Sequence, residues 1–448
     1  MQTQNPPISL LTPIGYKNSS CGYCHKKSGS FSYYVSAQSL THHFYQSLLG
    51  RGWRRSGTLL YKPNQQASCC PHYTIRLDSD EFRPSKDQRQ VQNRLTKYVL
   101  GDTYIKEAAR LHPLSREQAK KRNTDFNFVE RIHECEKVQV KSPPQPAHDF
   151  VVTLEPDDFT DEKYVLFENY QRLVHHEPPH RITKSGFKNF LCSSPLSQCR
   201  TATDGLRLGS YHQCYRLDGK LVAIGVLDLL PQCVSAVYFM YDESVHQHSF
   251  GKLGALREIA LAKENKYRYW YAGFYIHNCV KMRYKGDYTP QYILDPESYE
   301  WDLLDGELKQ KLDKKKYISL SRERAVLGGE SLVSTDATPV CVSDNGTAGD
   351  TSMGDDDDDS DDDLPLVDPD TPLFKRSMPG ILTKNELLHQ VNLDKIKINV
   401  RGIECQAEEL VRWESSDIDH PDSIKGVIAE LAAAVGPALA REMVVKFG

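Results

Sequence analysis

Four cysteines carry the most direct chemical reading in this chain: Cys21-Gly-Tyr-Cys24 and Cys69-Cys70. Two thiolates at Cys-x-x-Cys spacing sit on one tight turn and can share a metal ion, and a second pair completes a four-sulfur site. Adjacent cysteines are an unusual second pair, so a zinc ribbon is matched only in part, and zinc and an iron–sulfur cluster both stay open. A redox Cys-x-x-Cys wants a strand before it and a helix after it, whereas Lys26-Lys-Ser-Gly-Ser-Phe31 reads as loop. A second candidate is Asp228, a carboxylate inside the apolar run Leu221-Val-Ala-Ile-Gly-Val-Leu-Asp-Leu-Leu-Pro231. An unpaired buried charge costs several kcal/mol, so Asp228 either serves chemistry or meets a Lys or Arg in a structural ion pair. The third is the stretch Tyr271 to Gly286. An aromatic strand there runs into a loop carrying His277, Lys281, Arg283 and Lys285 between Tyr284 and Tyr288. Such a loop can hold an anionic, ring-bearing ligand such as the end of a nucleic acid by charge and stacking. The plainer alternative is a core strand followed by a solvated basic loop.

These groups need elements to position them. At 448 residues two or three domains are expected. The formal charge of −4 averages two populations, because residues 331–374 hold thirteen aspartates and no Lys or Arg. Without that segment the charge is about +9, which favours an acidic partner. No apolar run reaches the ~20 residues of a membrane span and no secretory leader pattern is present, so no membrane partner is expected. The cysteines are accordingly expected to be reduced, in the cytoplasm or also the nucleus.

The pattern divides into a Cys-rich metal-binding unit at 1–80, a basic helical segment and linker at 81–150, and an acyl-transfer unit at 151–325. A disordered acidic tract at 326–373 and a helical C-terminal region at 374–448 follow. In the first unit a helix is predicted from near Ser39 with Gly50 as its stop, then strands Leu59–Lys62 and Tyr73–Leu77. In the third unit Thr160 caps a helix, a short helix spans about 185–191, and Asp218-Gly219 closes a hairpin. The strand Cys233–Tyr241, a helix opened by Gly251-Lys-Leu-Gly254 and the strand at 269–276 complete a β-β-β-α-β order. That is the layout of an α+β acyl-transfer fold of the acetyltransferase (GNAT) type. In such folds a glycine turn at a helix N-terminus cradles the donor's phosphates, although two glycines are equally a simple turn.

Further motifs occur in order along the chain. In the first unit they are Cys21-Gly-Tyr-Cys24, Arg51-Gly-Trp-Arg-Arg-Ser-Gly57, Tyr61-Lys-Pro63 and Cys69-Cys-Pro-His-Tyr-Thr-Ile-Arg76. The third unit has Phe190-Leu-Cys-Ser-Ser-Pro195, Gly209-Ser-Tyr-His-Gln213, Leu217-Asp-Gly-Lys220, Ala255-Leu-Arg-Glu-Ile259, Gly273-Phe-Tyr-Ile-His277 and Lys281-Met-Arg-Tyr-Lys-Gly286. Together they resemble the eukaryotic arginyl-tRNA–protein transferases, densely over about 15–80 and 155–303, with Phe374-Lys-Arg-Ser-Met-Pro379 similar to a short segment near that family's end. The linker, the acidic tract and the final seventy or so residues do not visibly match.

The resemblance implies transfer of arginine from arginyl-tRNA to the N-terminal amine of proteins beginning with Asp, Glu or oxidised Cys, marking them for ubiquitin-dependent degradation in the N-degron pathway. It implies zinc or an iron–sulfur cluster at Cys21, Cys24, Cys69 and Cys70, no coenzyme A, and a chain acting as a monomer. For that reaction Asp228 is expected to bind arginine's guanidinium or relay a proton, with His212, Gln213, Tyr275 and His277 as relay or oxyanion donors. Lys281, Arg283, Tyr284 and Lys285 would meet tRNA, and Arg54, Arg55 and Arg76 the acceptor's acidic side chain. The rival readings are a coenzyme A-dependent acetyltransferase, which wants a fuller glycine loop, and a non-enzymatic metal-containing RNA-binding regulator, which has no use for Asp228.

Overall fold

The computed structural model describes residues 8–328 and 371–447. The acidic tract expected to be disordered lies almost wholly outside the described residues. Two sheets organise the chain. The first has seven strands in the order Ile403–Gln406, Lys397–Val400, Met443–Phe447, Ser9–Ser19, Ser30–Ser39, Leu59–Pro63 and Arg54–Ser56.

Both ends of the chain therefore build one sheet. Met443–Phe447 lies parallel to both Ser9–Ser19 and Lys397–Val400. The Ala-rich helix Ile424–Val435 covers this sheet, with Leu431, Ala432, Val35 and Trp53 in one buried cluster. The C-terminal region expected to be helical thus supplies three strands as well as the expected helix. Its strands are four or five residues long, and Met443–Phe447 finds one of its partners, Ser9–Ser19, across hundreds of residues, which no local pattern reveals.

The predicted helix near Ser39 begins later, at His42–Leu49, because Thr41 caps it by accepting from the Phe44 amide. Ser39 ends the preceding strand, where Tyr33, Val35 and Ala37 alternate inward.

The second sheet runs Trp301–Leu303, Tyr292–Leu294, Tyr73–Asp78, Tyr269–Tyr275, Cys233–Tyr241, Lys220–Leu230, Arg207–Leu217 and Phe150–Pro156. Tyr73–Asp78, read from sequence with the Cys-rich unit, is instead a central strand here, antiparallel to Tyr269–Tyr275. The hairpin at Asp218-Gly219 forms as predicted, with Leu217 opposite Lys220. Thr160 caps Asp161–Val174, and Ser85 caps Lys86–Leu100 through a reciprocal capping box with Gln88.

Cys233–Tyr241 and Tyr269–Tyr275 run parallel, and the helix Phe250–Glu264 crosses between them. Their pairing covers only Cys233, Val234 and Ser235 opposite Tyr269, Trp270 and Tyr271. Beyond it the register against Tyr73–Asp78 shifts between Tyr271 and Phe274, where Gly273 adopts φ +78°, a backbone that favours glycine. The two strands part there and leave a gap under the helix.

Val445 is fully buried in the first sheet, so Val445→Asp should cost about 3–5 kcal/mol by leaving an uncompensated buried charge. Denaturant unfolding checks this. A loss below about 1 kcal/mol would show that the C-terminal strand is dispensable.

Candidate active site

The cysteines come together as predicted. The Cys21 amide donates to the Lys26 carbonyl, the His25 amide to the Cys21 carbonyl, and the Cys69 amide to the Gly29 carbonyl. The four sulfurs lie within 4.8 Å of one another, with Cys24 and Cys69 Sγ 3.2 Å apart. A tetrahedral four-thiolate ion with metal–sulfur bonds of ~2.3 Å needs sulfurs ~3.8 Å apart, so the donor set fits a metal. Gly29 makes the approach possible, since a Cβ on it would stand 2.7 Å from Cys69 Sγ. The Cys24 thiol is pulled down to about 7, first by its backbone hydrogen bond at Lys26 and then by Cys69.

This knuckle reaches the second sheet through rings. Tyr23, between two of the cysteines, packs edge-on against His72, and His72 against Phe274, each at 5.2 Å. Phe274 in turn lies 4.9 Å below the Arg54 guanidinium.

Arg55 and Asp228 form the joint between the sheets. Arg55 Nη2 and Nε donate to the two oxygens of Asp228 at 2.6 and 2.8 Å, and Ser210 Oγ donates to the same carboxylate at 2.6 Å. Asp228 is 0% exposed. Burial disfavours the Arg55 charge, but the carboxylate beside it outweighs this and raises its pKa. Asp228 is therefore already filled by a guanidinium of its own chain and is closed to a substrate, which corrects the role expected for it. Arg55 is corrected with it, since its fork is spent on Asp228 and Ser210.

Arg54, its neighbour on the strand, turns the other way. It donates to the Trp53 and Gly273 carbonyls at 2.7 and 3.3 Å and lies over Tyr271 and Phe274. Its Nε has no acceptor, and among the described residues no carboxylate pairs with it. Burial lowers its pKa.

The gap between the parted strands is a cleft of about 400 Å³, part of it open to solvent. Ala236–Phe239, Trp270 and Ala272 form its sheet walls, Gly251, Ala255 and Glu258 the helix wall, and Tyr284 and Lys285 its cover. Lys285, expected to face tRNA, is instead turned inward, and burial pulls it down to about 8. Gly254 does not open onto the cleft. A Cβ there would strike the Phe239 ring at 2.2 Å, so that glycine serves packing and not phosphate binding.

The other candidates divide. Lys281 and Arg283 are exposed on the segment covering the cleft. Tyr275 and His277 do come together, the hydroxyl 2.7 Å from Nδ1, while His277 Nε2 lies 2.8 Å from Asp313, which sequence reasoning missed. Tyr275 is fully buried and burial lifts it to about 12, so this chain of groups pins the turn to the helix Gly306–Lys314 rather than opening on the cleft. His212 is a core residue. Nε2 lies 3.0 Å from the Leu191 carbonyl, and burial lowers it to about 4. Gln213 accepts from the Tyr215 hydroxyl at 2.6 Å. Arg76 is stacked between Tyr269 and Trp301, 4.1 and 3.8 Å from their centroids, and does not line the cleft.

Residues 19–90 match the family model described as the N terminus of arginine-tRNA-protein transferase, and residues 162–295 the one described as its C terminus. A relative from Drosophila melanogaster, arginyl-tRNA--protein transferase 1, is 30% identical over 424 residues, covering 71% of this chain and 87% of that one. The chain belongs to the arginyl-tRNA–protein transferase family. The Arabidopsis thaliana protein of the same name is 26% identical over 519 residues, covering 77% and 82%. An aspartate/glutamate leucyltransferase from Helicobacter hepaticus is 26% identical, covering 64% of this chain and 95% of its own. The stretches matched to the family models include the four cysteines, the Arg55–Asp228 joint and every wall of the cleft. The C-terminal strands lie outside both.

Asp228→Asn and Arg55→Ala should each cost about 3–5 kcal/mol, because each leaves its partner buried and unpaired. The double replacement Arg55→Met with Asp228→Leu should recover most of that loss. Unfolding curves decide. A singly substituted Asp228→Asn protein as stable as wild type would remove the joint.

Proposed function

We propose that the cleft between Cys233–Tyr241 and Tyr269–Tyr275 is where an arginyl ester is attacked by a protein's N-terminal amine. The protein is a transferase that moves arginine from arginyl-tRNA to protein. The observation that carries the siting is the parted pair of parallel strands beside a helix N-terminus, lined by groups whose ionisation burial has shifted. The GNAT-type reading rests on the same feature, in which exposed strand backbone holds the acyl group.

In this reading the amine, with a pKa near ~7.7, adds to the ester carbonyl, and the C–O bond to the tRNA's terminal ribose breaks as the amide forms. The amine gives up a proton and the departing ribose oxygen takes one. Lys285, at about 8 and in the cleft, is partly neutral at cellular pH and suited to carry that proton from one to the other. Arg54, buried without a carboxylate, is suited to the acidic side chain of an acceptor beginning with Asp, Glu or oxidised Cys. Lys281 and Arg283, exposed beside the cleft, suit tRNA phosphates.

The four thiols would hold zinc or an iron–sulfur cluster. A bound metal would fix the geometry of the Cys21–Cys24 turn, and the ring contacts from Tyr23 to Phe274 would carry that rigidity to Arg54. The reading requires no coenzyme A.

The test uses labelled arginyl-tRNA with peptides starting in Asp or Asn, and labelled acetyl-coenzyme A as control. Arginine should reach the Asp peptide and acetyl should reach neither. The rate should rise with pH through about 8 as Lys285 and the acceptor amine, near ~7.7, both lose their protons. Lys285→Arg, which cannot deprotonate, should fall by about 100-fold and keep only the acceptor amine's own step near ~7.7, so that the rise becomes less steep. An unchanged profile in Lys285→Arg would take Lys285 out of the proton path.

A further inference from the structure

One buried acid in the cleft is used by neither the metal site, the joint nor the proton path. Glu258 lies two turns into the helix Phe250–Glu264 and is 3% exposed. Its Oε2 accepts from Trp270 Nε1 at 2.8 Å. Its Oε1 accepts no hydrogen bond from any described residue, and no Lys, Arg or His of the described residues is in ion-pair contact with it. Glu258 is one of the residues that line the cleft. On the strand opposite stands Gly225, where a Cβ would come within 3.4 Å of Oε1, so the absence of a side chain leaves room beside the carboxylate. Burial lifts the carboxyl to about 7, against the Trp270 hydrogen bond and the Lys285 charge, which draw it down.

The walls above Glu258 are flat. Phe239, Trp270 and Tyr284 line the same cleft, together with Lys285 and Gly251. A buried carboxylate with one oxygen unbonded, in a ring-lined cleft, matches a planar, weakly hydrated cation on a flexible apolar stem. A guanidinium fits this better than an ammonium, because its fork can address both carboxylate oxygens and its face can lie against rings.

Building on the transfer reading above, we propose that Glu258 is the receptor for the guanidinium of the donor's arginyl group, and so sets which aminoacyl-tRNA the protein accepts. The arginyl stem lies along Phe239 and Tyr284, and the ester sits at the mouth beside Lys285. The role first expected of Asp228 thus falls to an acid on the neighbouring helix.

Citrulline has arginine's shape without its charge. One tRNA is charged with arginine or with citrulline, and transfer to an Asp-starting peptide is measured with the full chain. Wild type should prefer the arginyl donor by about 100-fold or more. Glu258→Gln, which keeps an acceptor for Trp270, should lose about 100-fold with the arginyl donor and stay within a few-fold with the citrullyl donor. An unchanged preference, or equal losses with both donors, would overturn the proposal. If Glu258→Gln does not fold, Glu258→Asp decides. Retracting the carboxylate by one methylene should cut arginyl transfer by about 10-fold and leave citrullyl transfer unchanged. An unaltered ratio in that variant counts against the proposal. Wild-type protein inert toward arginyl-tRNA would instead overturn the transfer reading itself, a result separable from any change in donor preference.

Discussion

The buried pair of Arg55 with Asp228 is the contact on which the remaining geometry hangs. It ties the edge strand of one sheet to the middle of the other. Such a pair is weak evidence for stability, because desolvating two charges offsets most of their attraction. Its effect is registration. Neighbouring side chains on a strand point to opposite faces, so fixing Arg55 on Asp228 fixes Arg54 over Phe274 and against the Gly273 carbonyl. Gly273 is where the parallel strands part, and the cleft opens there. A structural ion pair thereby sets the position of a buried cation without a carboxylate partner, beside Gly273 where the strands part.

The cysteine knuckle acts on the same point from another side. The ring contacts Tyr23–His72–Phe274 end beneath Arg54. Packed rings transmit displacement because interiors have little free volume. The C-terminal strands add the third support, since the sheet that carries Arg54 and Arg55 is completed by Met443–Phe447. Parts of the chain nearly 400 residues apart thus build the one sheet that carries Arg54 and Arg55.

Much of this was legible in the sequence. Cys-x-x-Cys with a second pair announced a four-sulfur site, and the β-β-β-α-β order placed the helix Phe250–Glu264 between two strands that prove to be parallel. Asp228 was legible as a charge needing a partner, but not which partner, because Arg55 is 173 residues away. Tyr73–Asp78 reads locally as the sequel to the cysteines and only pairing assigns it to the other sheet. Lys285 was read with Lys281 and Arg283 as one basic loop. The α-helical turn Val280–Arg283 gives way to a 3₁₀ turn at Tyr284–Asp287, so the spacing of four no longer keeps Lys285 on the face of Lys281, and one side chain goes inward while two stay outward. Glu258 was hidden by its own helix. The apolar spacing of Leu253, Leu256, Ile259 and Ala260 accounts for that segment as a packed helix, and only the tertiary walls around Glu258 distinguish it from a solvated acid.

The central claim is that the gap between the parted strands receives the arginyl end of the donor. A crystal structure with 3′-arginylamido-3′-deoxyadenosine, an amide mimic of that end, tests it most directly. The account predicts the arginyl group between Ala236–Phe239 and Trp270, its guanidinium on Glu258 and its carbonyl near Lys285. Arginyl density anywhere outside this cleft, or a guanidinium bound to a group other than Glu258, would contradict it.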